Sequence, residues 1–197
     1  MKKILFIFAV IISTAALAQQ KQVDSLPYYQ IPDYPERYTA GTVSARMIDG
    51  LGFRYYWATE GLRAEDLAYK PSEQGRTCGE TLEHLYGLSK FIYNAAANQV
   101  NDRTAAVEEP LNFEEKRKAT LNNFKKAADL LRTADDLSQM KIKIKSQQGQ
   151  VEFPFWNNLN GPIADALWHT GQVVLLRRAS GNPLNPKVSV FNGRLRD

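Results

Sequence analysis

Cysteine is almost absent from this chain of 197 residues, which contains only Cys78. A single cysteine excludes an intrachain disulfide framework and any zinc site built from several thiolates. Histidine is scarce as well, and His84 and His169 are the only two. The 12 glycines and 9 prolines are too few for a low-complexity chain, and a hydrophobic content of 44% is typical of a folded domain.

A strong charge of one sign is also lacking. The 25 basic and 21 acidic residues give a net charge of +4. Lys2 and Lys3 lie in the N-terminal segment discussed next, and without them 23 basic residues face 21 acidic ones. Because this excess is small and not clustered with aromatic residues, the composition favours no nucleic-acid partner.

Long hydrophobic runs are missing beyond the first twenty residues. Lys2 and Lys3 precede an apolar run at residues 4–12, and Ala16-Leu17-Ala18 follows. This pattern predicts a secretory signal peptide over residues 1–18. The run is too short to span a bilayer, and no cysteine follows it for a lipid anchor. We therefore expect an exported protein, periplasmic or secreted, without stable membrane insertion.

Residues 19–38 contain three prolines and no apolar period, which predicts an extended leader. Hydrophobic residues then recur at helical spacing in four segments, and a capping residue precedes two of them. Thr77 with Glu80, and Asn112 with Glu115, have the spacing of a capping box. The predicted helices are residues 39–63, 78–98, 113–133 and 162–179, with a loop at 64–76.

The period changes between the third and fourth predicted helices. Residues 141–145 and 151–155 alternate in polarity around Gln147-Gln148-Gly149, which predicts a short β-hairpin. The predicted fold class is therefore all-α, a four-helix bundle over residues 39–183 with a small hairpin between helices 3 and 4. The tail, residues 184–197, is expected to be irregular.

Four further expectations concern single residues. Gly50 and Gly52 lie inside the first predicted helix, where they would let a neighbouring helix approach closely. Cys78 is expected to be the first residue of the second helix and to be buried. Trp168 is interpreted as a packing residue of the fourth helix.

The two histidines allow a metal site. His84 lies on or beside the apolar face of the second predicted helix. Asp165 and His169 are four residues apart on the fourth helix, so they share a face. If His84 points to the same place, two imidazoles and one carboxylate converge, a set that suits one divalent transition metal. Zinc, nickel, iron and manganese all remain open.

Each of these residues also has a structural interpretation. A histidine near an apolar face is often a hydrogen-bonded core residue. An aspartate and a histidine at this spacing can form a simple surface pair. Asp165 lies in the first helical turn, where the helix dipole favours an acid. The spacing alone leaves these alternatives open.

The sequence resembles the DinB-like, or YfiT-like, family of metal-dependent four-helix bundles. In the second helix, Thr77, Glu80 and His84 match the family's cap, acid and histidine. In the fourth helix, the segment DALWHTGQVVLLRRASGNP matches the family's ligand pair and the glycine, glutamine, arginine and proline after it. The resemblance covers roughly residues 40–183. Asp165 stands where the family has a histidine.

The resemblance implies that His84, Asp165 and His169 bind one divalent metal. Gln172 shares the face of His169 and is the predicted catalytic residue, in contact with water or substrate; the alternative is an ordinary interhelical amide. Arg177 and Arg178 match the family's late arginine, but we interpret them as partners of the helix dipole. The resemblance also implies a possible homodimer.

Three functions follow from these expectations. The first is a metal-dependent hydrolase or transferase acting on an unidentified small molecule. Export counts against the thiol-dependent transferase chemistry of some DinB-like proteins, because that chemistry uses cytosolic thiols. The alternatives are a non-catalytic metal- or ligand-binding helical module, and an interaction protein whose metal site has been lost.

Overall fold

The structure is a computed structural model, and it describes residues 26–106 and 109–197. The predicted signal peptide and the first part of the predicted leader lie outside these residues. Within them the chain is mostly helical with a small sheet, as predicted. The long helices are α1 (Ala40–Thr59), α3 (Cys78–Ala96), α4 (Phe113–Arg132) and α5 (Ala164–Ala179), and a short helix, α2 (Ala64–Ala68), follows α1.

Local capping explains where these helices begin. Thr77 Oγ1 accepts a hydrogen bond from the Glu80 amide at 3.0 Å, and the Glu80 carboxylate accepts one from the Thr77 amide at 2.7 Å. Asn112 and Glu115 form the same reciprocal pair at the start of α4. Each cap satisfies amide groups that the first turn leaves without partners. The predicted starts at Cys78 and Phe113 are therefore confirmed.

The apolar stripes of the long helices meet in a common interior. α1 packs against α4 and α5, and α3 packs against the same two helices. Met47 of α1 lies at the edge of this interior and is 40% exposed. The largest side chains with almost no exposure are Ile48, Leu51, Phe53, Tyr55, Leu82, Leu85, Ile92, Leu121, Phe124, Leu131, Ile163 and Val173.

The segments that connect the long helices form a three-stranded sheet. β2 (Lys141–Ser146) and β3 (Gly149–Pro154) are antiparallel, and Ser146 pairs with Gly149 at the turn. β1 (Val100–Asp102) joins the other edge of β2 in parallel. β1 was not predicted, because a strand of three residues is too short to show an alternation of polar and apolar side chains.

Glycine permits two close approaches, neither of them the predicted one. A Cβ at Gly52 would lie 2.4 Å from the ring of Tyr28, so Gly52 admits a leader side chain rather than a helix. The helix approach is at Gly41, where a Cβ would lie 2.3 Å from the carbonyl oxygen of Leu131 in α4. A Cβ at Gly50 would meet only the Arg54 guanidinium.

The leader and the tail both bind to the body of the protein. The Tyr28 hydroxyl donates to Asp49 Oδ1 at 3.2 Å, and Arg132 donates to the other oxygen of Asp49 at 2.7 Å. The Ile31 amide donates to the Gly193 carbonyl at 2.8 Å. The tail, predicted to be irregular, contains two short paired strands, β4 (Val188–Ser189) and β5 (Arg194–Leu195).

Helix ends differ from the sequence expectations at two places. α1 ends at Thr59 rather than at residue 63, and Gly61 then adopts a left-handed backbone with φ of 67°. The segment 64–76, predicted to be a loop, begins instead with the short helix α2. α5 begins at Ala164 rather than Pro162, because Gly161 interrupts the preceding π-helical turn, Leu159–Ile163, with φ of −95° and ψ of −105°.

None of the helices within residues 26–106 and 109–197 has the length and hydrophobicity that spanning a membrane requires.

Candidate metal centre

His84 is placed by α3. It follows Cys78 by six residues, and the buried side chains of Leu82 and Leu85 fix the inner face of this part of the helix. The His84 side chain lies at the edge of that face and is 37% exposed. It can therefore reach both the neighbouring helix and a ligand arriving from solvent.

Asp165 and His169 are placed by the first turns of α5. One helical turn separates them, so both side chains leave the helix on the same side. The Asp165 side chain is 38% exposed and the His169 side chain is 16% exposed. The contact of α5 with α3 brings this side of α5 opposite His84.

The three predicted ligands converge. His84 Nε2 lies 3.1 Å from Asp165 Oδ2, and His169 Nε2 lies 3.4 Å from Asp165 Oδ1. One donor atom from each residue can be chosen so that all three lie within 4.8 Å of one another. The two imidazole rings are nearly perpendicular, at 88°, with centroids 4.6 Å apart. The predicted meeting of His84 with Asp165 and His169 is confirmed.

Two of these separations are those expected around a metal ion. Nitrogen and oxygen ligands lie about 2.0–2.2 Å from zinc in a tetrahedral site, so two such ligands are about 3.4 Å apart. The two contacts with Asp165 are close to that separation. Three protein ligands leave at least one position for water or substrate, as in catalytic rather than structural zinc sites.

Gln172 fixes the orientation of one imidazole. Its Oε1 lies 2.7 Å from His169 Nδ1. An amide oxygen only accepts, so Nδ1 carries the proton and donates it to Gln172. The lone pair of the neutral ring is then on Nε2, the nitrogen that faces Asp165. Metal-binding histidines are held in this way by a second hydrogen bond. The predicted contact of Gln172 with water or substrate stays a prediction; the contact present is with His169.

Two cavities open beside the three ligands. One, of about 770 Å³, is lined by His84 and Asp165 and extends over Phe91 and Trp168. The other, of about 470 Å³, is lined by His84, His169 and Gln172. Trp168 is 71% exposed, so it is not the packing residue that the sequence analysis expected. The site is reachable from both sides.

Arg177 has a different function from the one predicted. Its side chain donates to the carbonyl oxygens of Trp57, Ala58 and Glu60, each at 3.0 Å, and is almost fully buried. These carbonyls end α1, so Arg177 caps a helix distant in sequence rather than balancing the dipole of its own. The cap fixes the end of α5 against α1.

A second polar cluster supports the same end of α5. The buried carboxylate of Asp66 accepts hydrogen bonds from Arg63, Ser180 and Asn182. These donors hold the pKa of the Asp66 carboxyl far below its usual range. The sequence gives little signal for this cluster, because α2 is only five residues long.

Cys78 is the first residue of α3 and is fully buried, as predicted. Burial raises the pKa of its thiol to about 11. The thiolate that a cysteine nucleophile requires is therefore scarce at neutral pH. The candidate functional side chain in this part of α3 is therefore His84.

Comparisons with family models, with curated proteins and with solved structures find no match to this chain. The centre is therefore described by its own three ligands and their surroundings.

Proposed function

We propose that this chain is an exported metalloprotein built on a four-helix bundle of the DinB-like type. It binds one divalent transition metal through His84, Asp165 and His169. The metal serves hydrolysis or group transfer on a small molecule. The observation that carries the proposal is the convergence of both Nε2 atoms on the Asp165 carboxylate.

The chemistry of the donors suits a shared metal ion. Asp165 uses both of its oxygens, one toward each imidazole. With Nδ1 donating to Gln172, the neutral form of the His169 ring carries its lone pair on Nε2, directed at the site. An unprotonated Nε2 cannot donate a hydrogen bond to a carboxylate oxygen. The nitrogen and the oxygen can instead both bind the same cation.

A bound divalent metal would act as a Lewis acid, polarising a substrate oxygen or activating water. The chain's own residues have separate roles. His84 and His169 fix the ion from two helices, and Asp165 offsets part of its charge. Gln172 orients His169. The exposure of His84 and Asp165 leaves room for a substrate beside the site.

Metal content tests the proposal. Protein purified without a histidine tag is analysed by elemental mass spectrometry, as isolated and after loading with zinc, nickel, iron(II) or manganese and removal of excess. We expect about one metal per chain in the parent and a loss in H84A and D165A. Glu114→Ala is the matched control for Asp165→Ala, because Glu114 is an exposed acid in the first turn of another long helix.

A parent chain that takes up no metal, even after loading, contradicts the proposal. So does metal binding that persists in both variants, because the ligands would then lie elsewhere. Asp165→His adds a further test, since the family histidine at this position should retain the metal. Turnover of ester, amide and lactam substrates separates an enzyme from a non-catalytic binding module.

A further inference from the structure

The larger cavity has an aromatic wall and a basic residue beside the proposed metal centre. His84 and Asp165 form one part of its lining, and Phe91 and Trp168 form an apolar part. Arg103 contributes a guanidinium to the same lining. A volume of about 770 Å³ lies within the range of small-molecule sites, which are mostly apolar with a few placed polar groups.

Arg103 has no carboxylate partner within ion-pair distance among residues 26–106 and 109–197, and its guanidinium lies 5.9 Å from the centroid of the Phe91 ring. The nearby acids are already paired. Asp102 accepts from Lys145 at 2.8 Å, and this bond, together with hydrogen bonds from Thr104, lowers the pKa of the Asp102 carboxyl to about 2. Glu83, which also lines the cavity, is bound by Lys116.

The small sheet fixes the backbone at Arg103. β1 ends at Asp102, and the next amide, that of Arg103, donates to the Lys145 carbonyl of β2 at 2.9 Å. The parallel pairing of β1 with β2 therefore holds the base of this side chain at the rim of the cavity. The guanidinium is exposed enough to meet a ligand.

We propose that this cavity takes a small monoanion with an aromatic body, whose carboxylate binds Arg103 and whose ring packs against Trp168 and Phe91. This assignment rests on the proposed function, and it names the substrate class of that metal centre. A ligand held in this way extends toward His84 and Asp165. Its reactive group then lies at the metal while its charge is neutralised by Arg103 in the same cavity lining.

The second cavity is a weaker candidate for the anion. Its guanidinium is Arg76, but Arg76 lies near enough to the Glu80 carboxylate to help lower the pKa of that group. Apart from the two imidazoles, its lining within the described residues contains no phenylalanine, tyrosine or tryptophan. Both features favour the cavity of Arg103 for an amphiphilic anion.

Calorimetric titration with two matched probes tests the assignment. 3-Phenylpropanoate and its neutral amide share a body and differ in charge. In metal-free protein we expect the carboxylate to bind about fivefold more tightly, as for a partly exposed ion pair. Arg103→Gln should abolish this preference and Arg103→Lys should restore part of it. Arg178→Gln, the same charge change at an exposed site outside the cavity, should leave it intact.

The aromatic wall is tested with the same two probes. Trp168→Ala should weaken the carboxylate and the amide equally, by about fivefold, because it removes a packing surface without changing charge. Trp156→Ala is the matched control, since Trp156 is 76% exposed and lines a different groove. Unchanged binding of both probes in Trp168→Ala would remove this residue from the site and overturn the assignment.

The outcomes separate this inference from the metal proposal. Equal binding of the two probes, or a carboxylate preference that survives Arg103→Gln, overturns the assignment of Arg103. A preference that appears only after zinc is added, and that Arg103→Gln leaves unchanged, places the carboxylate on the metal. That result overturns the inference while the proposed function stands. Arg103-dependent binding in a chain that takes up no metal supports the ligand site and contradicts the proposed function.

Discussion

Replacing Gln172 tests whether the hydrogen bond to His169 prepares a metal ligand. Gln172→Met keeps the length of the side chain but removes the amide oxygen that accepts from Nδ1 at 2.7 Å. Without this acceptor, His169 is free to change tautomer and to rotate. Loss of such an outer partner typically weakens metal binding by about 10–100-fold, or about 1.4–2.8 kcal/mol. Because Gln172 is only half-buried, we expect a loss near the lower limit.

The assay is competition for zinc between the protein and a chromophoric chelator of known affinity. Gln172→Glu offers a carboxylate to the same Nδ1, and charge-assisted hydrogen bonds are stronger. We therefore expect Gln172→Glu to bind zinc at least as tightly as the parent. Gln150→Met is the control, since Gln150 is exposed on β3 and its side-chain amide donates to the surface carboxylate of Glu152.

One pattern would refute this reasoning. If zinc binding were lost in H84A but unchanged within twofold in Gln172→Met, His169 would not need its orienting partner. Gln172 would then be an ordinary interhelical amide. The unfolding free energy of Gln172→Met should stay within about 0.5 kcal/mol of the parent, as for most surface substitutions, so affinity changes would not reflect misfolding.

Three further predictions concern the scaffold and the stability that it contributes. Arg177→Met leaves three carbonyl oxygens of α1 without their donor, so we expect the unfolding free energy to fall by about 3 kcal/mol in urea titrations, whereas Arg178→Met should change it by less than about 0.5 kcal/mol. Equal effects of the two variants would contradict the cap. Gly52→Ala forces a Cβ to within 2.4 Å of the leader tyrosine and should lower stability by about 2 kcal/mol, while Gly171→Ala, which meets nothing, should raise it by up to about 1 kcal/mol in thermal unfolding. A stabilising Gly52→Ala would show that the leader is not packed there. The pKa of Asp66 is lowered in the folded chain, so its contribution to stability is present above about pH 4 and is lost as the pH falls further. In Asp66→Asn, the unfolding free energy should therefore fall less steeply at acid pH than it does in the parent. If the two proteins lost stability in parallel as the pH fell, Asp66 would not contribute in this way.

The helix starts were predictable because capping is local. Thr77 with Glu80, and Asn112 with Glu115, lie three residues apart, and the hydrogen bonds that they form are those of any capping box. The spacing of Asp165 and His169 was predictable for the same reason. Nothing beyond one helical turn is needed to place any of these three pairs.

The convergence of His84 was not fixed by spacing. It depends on which face α3 presents to α5, and a half-exposed residue at the edge of an apolar stripe can face either way. The resemblance to a family supplied that expectation. From periodicity alone, a hydrogen-bonded core histidine was the favoured interpretation of His84.

Long-range polar contacts were beyond the sequence pattern. Arg177 binds carbonyl oxygens of α1 that lie more than a hundred residues earlier in the chain. β1 pairs in parallel with β2, although the whole of α4 lies between the two strands in the sequence. The three residues of β1 are too few to show an alternation of polar and apolar side chains. Both features decide where side chains of the site lie, yet each depends on how distant elements pack.

The arginine at position 103 compensates for a change in charge that the aspartate at position 165 causes. On the proposed function, a ligand set of two neutral imidazoles and one carboxylate leaves a divalent ion with less positive charge than a set of three imidazoles would. Such a centre attracts an anionic substrate less strongly. A separate guanidinium in the lining of the same cavity, with no acidic partner within ion-pair distance among the described residues, restores that attraction without binding the metal itself. The binding of charge and the chemistry of the reactive group are then assigned to different residues of one cavity, so each can be altered by substitution without removing the other.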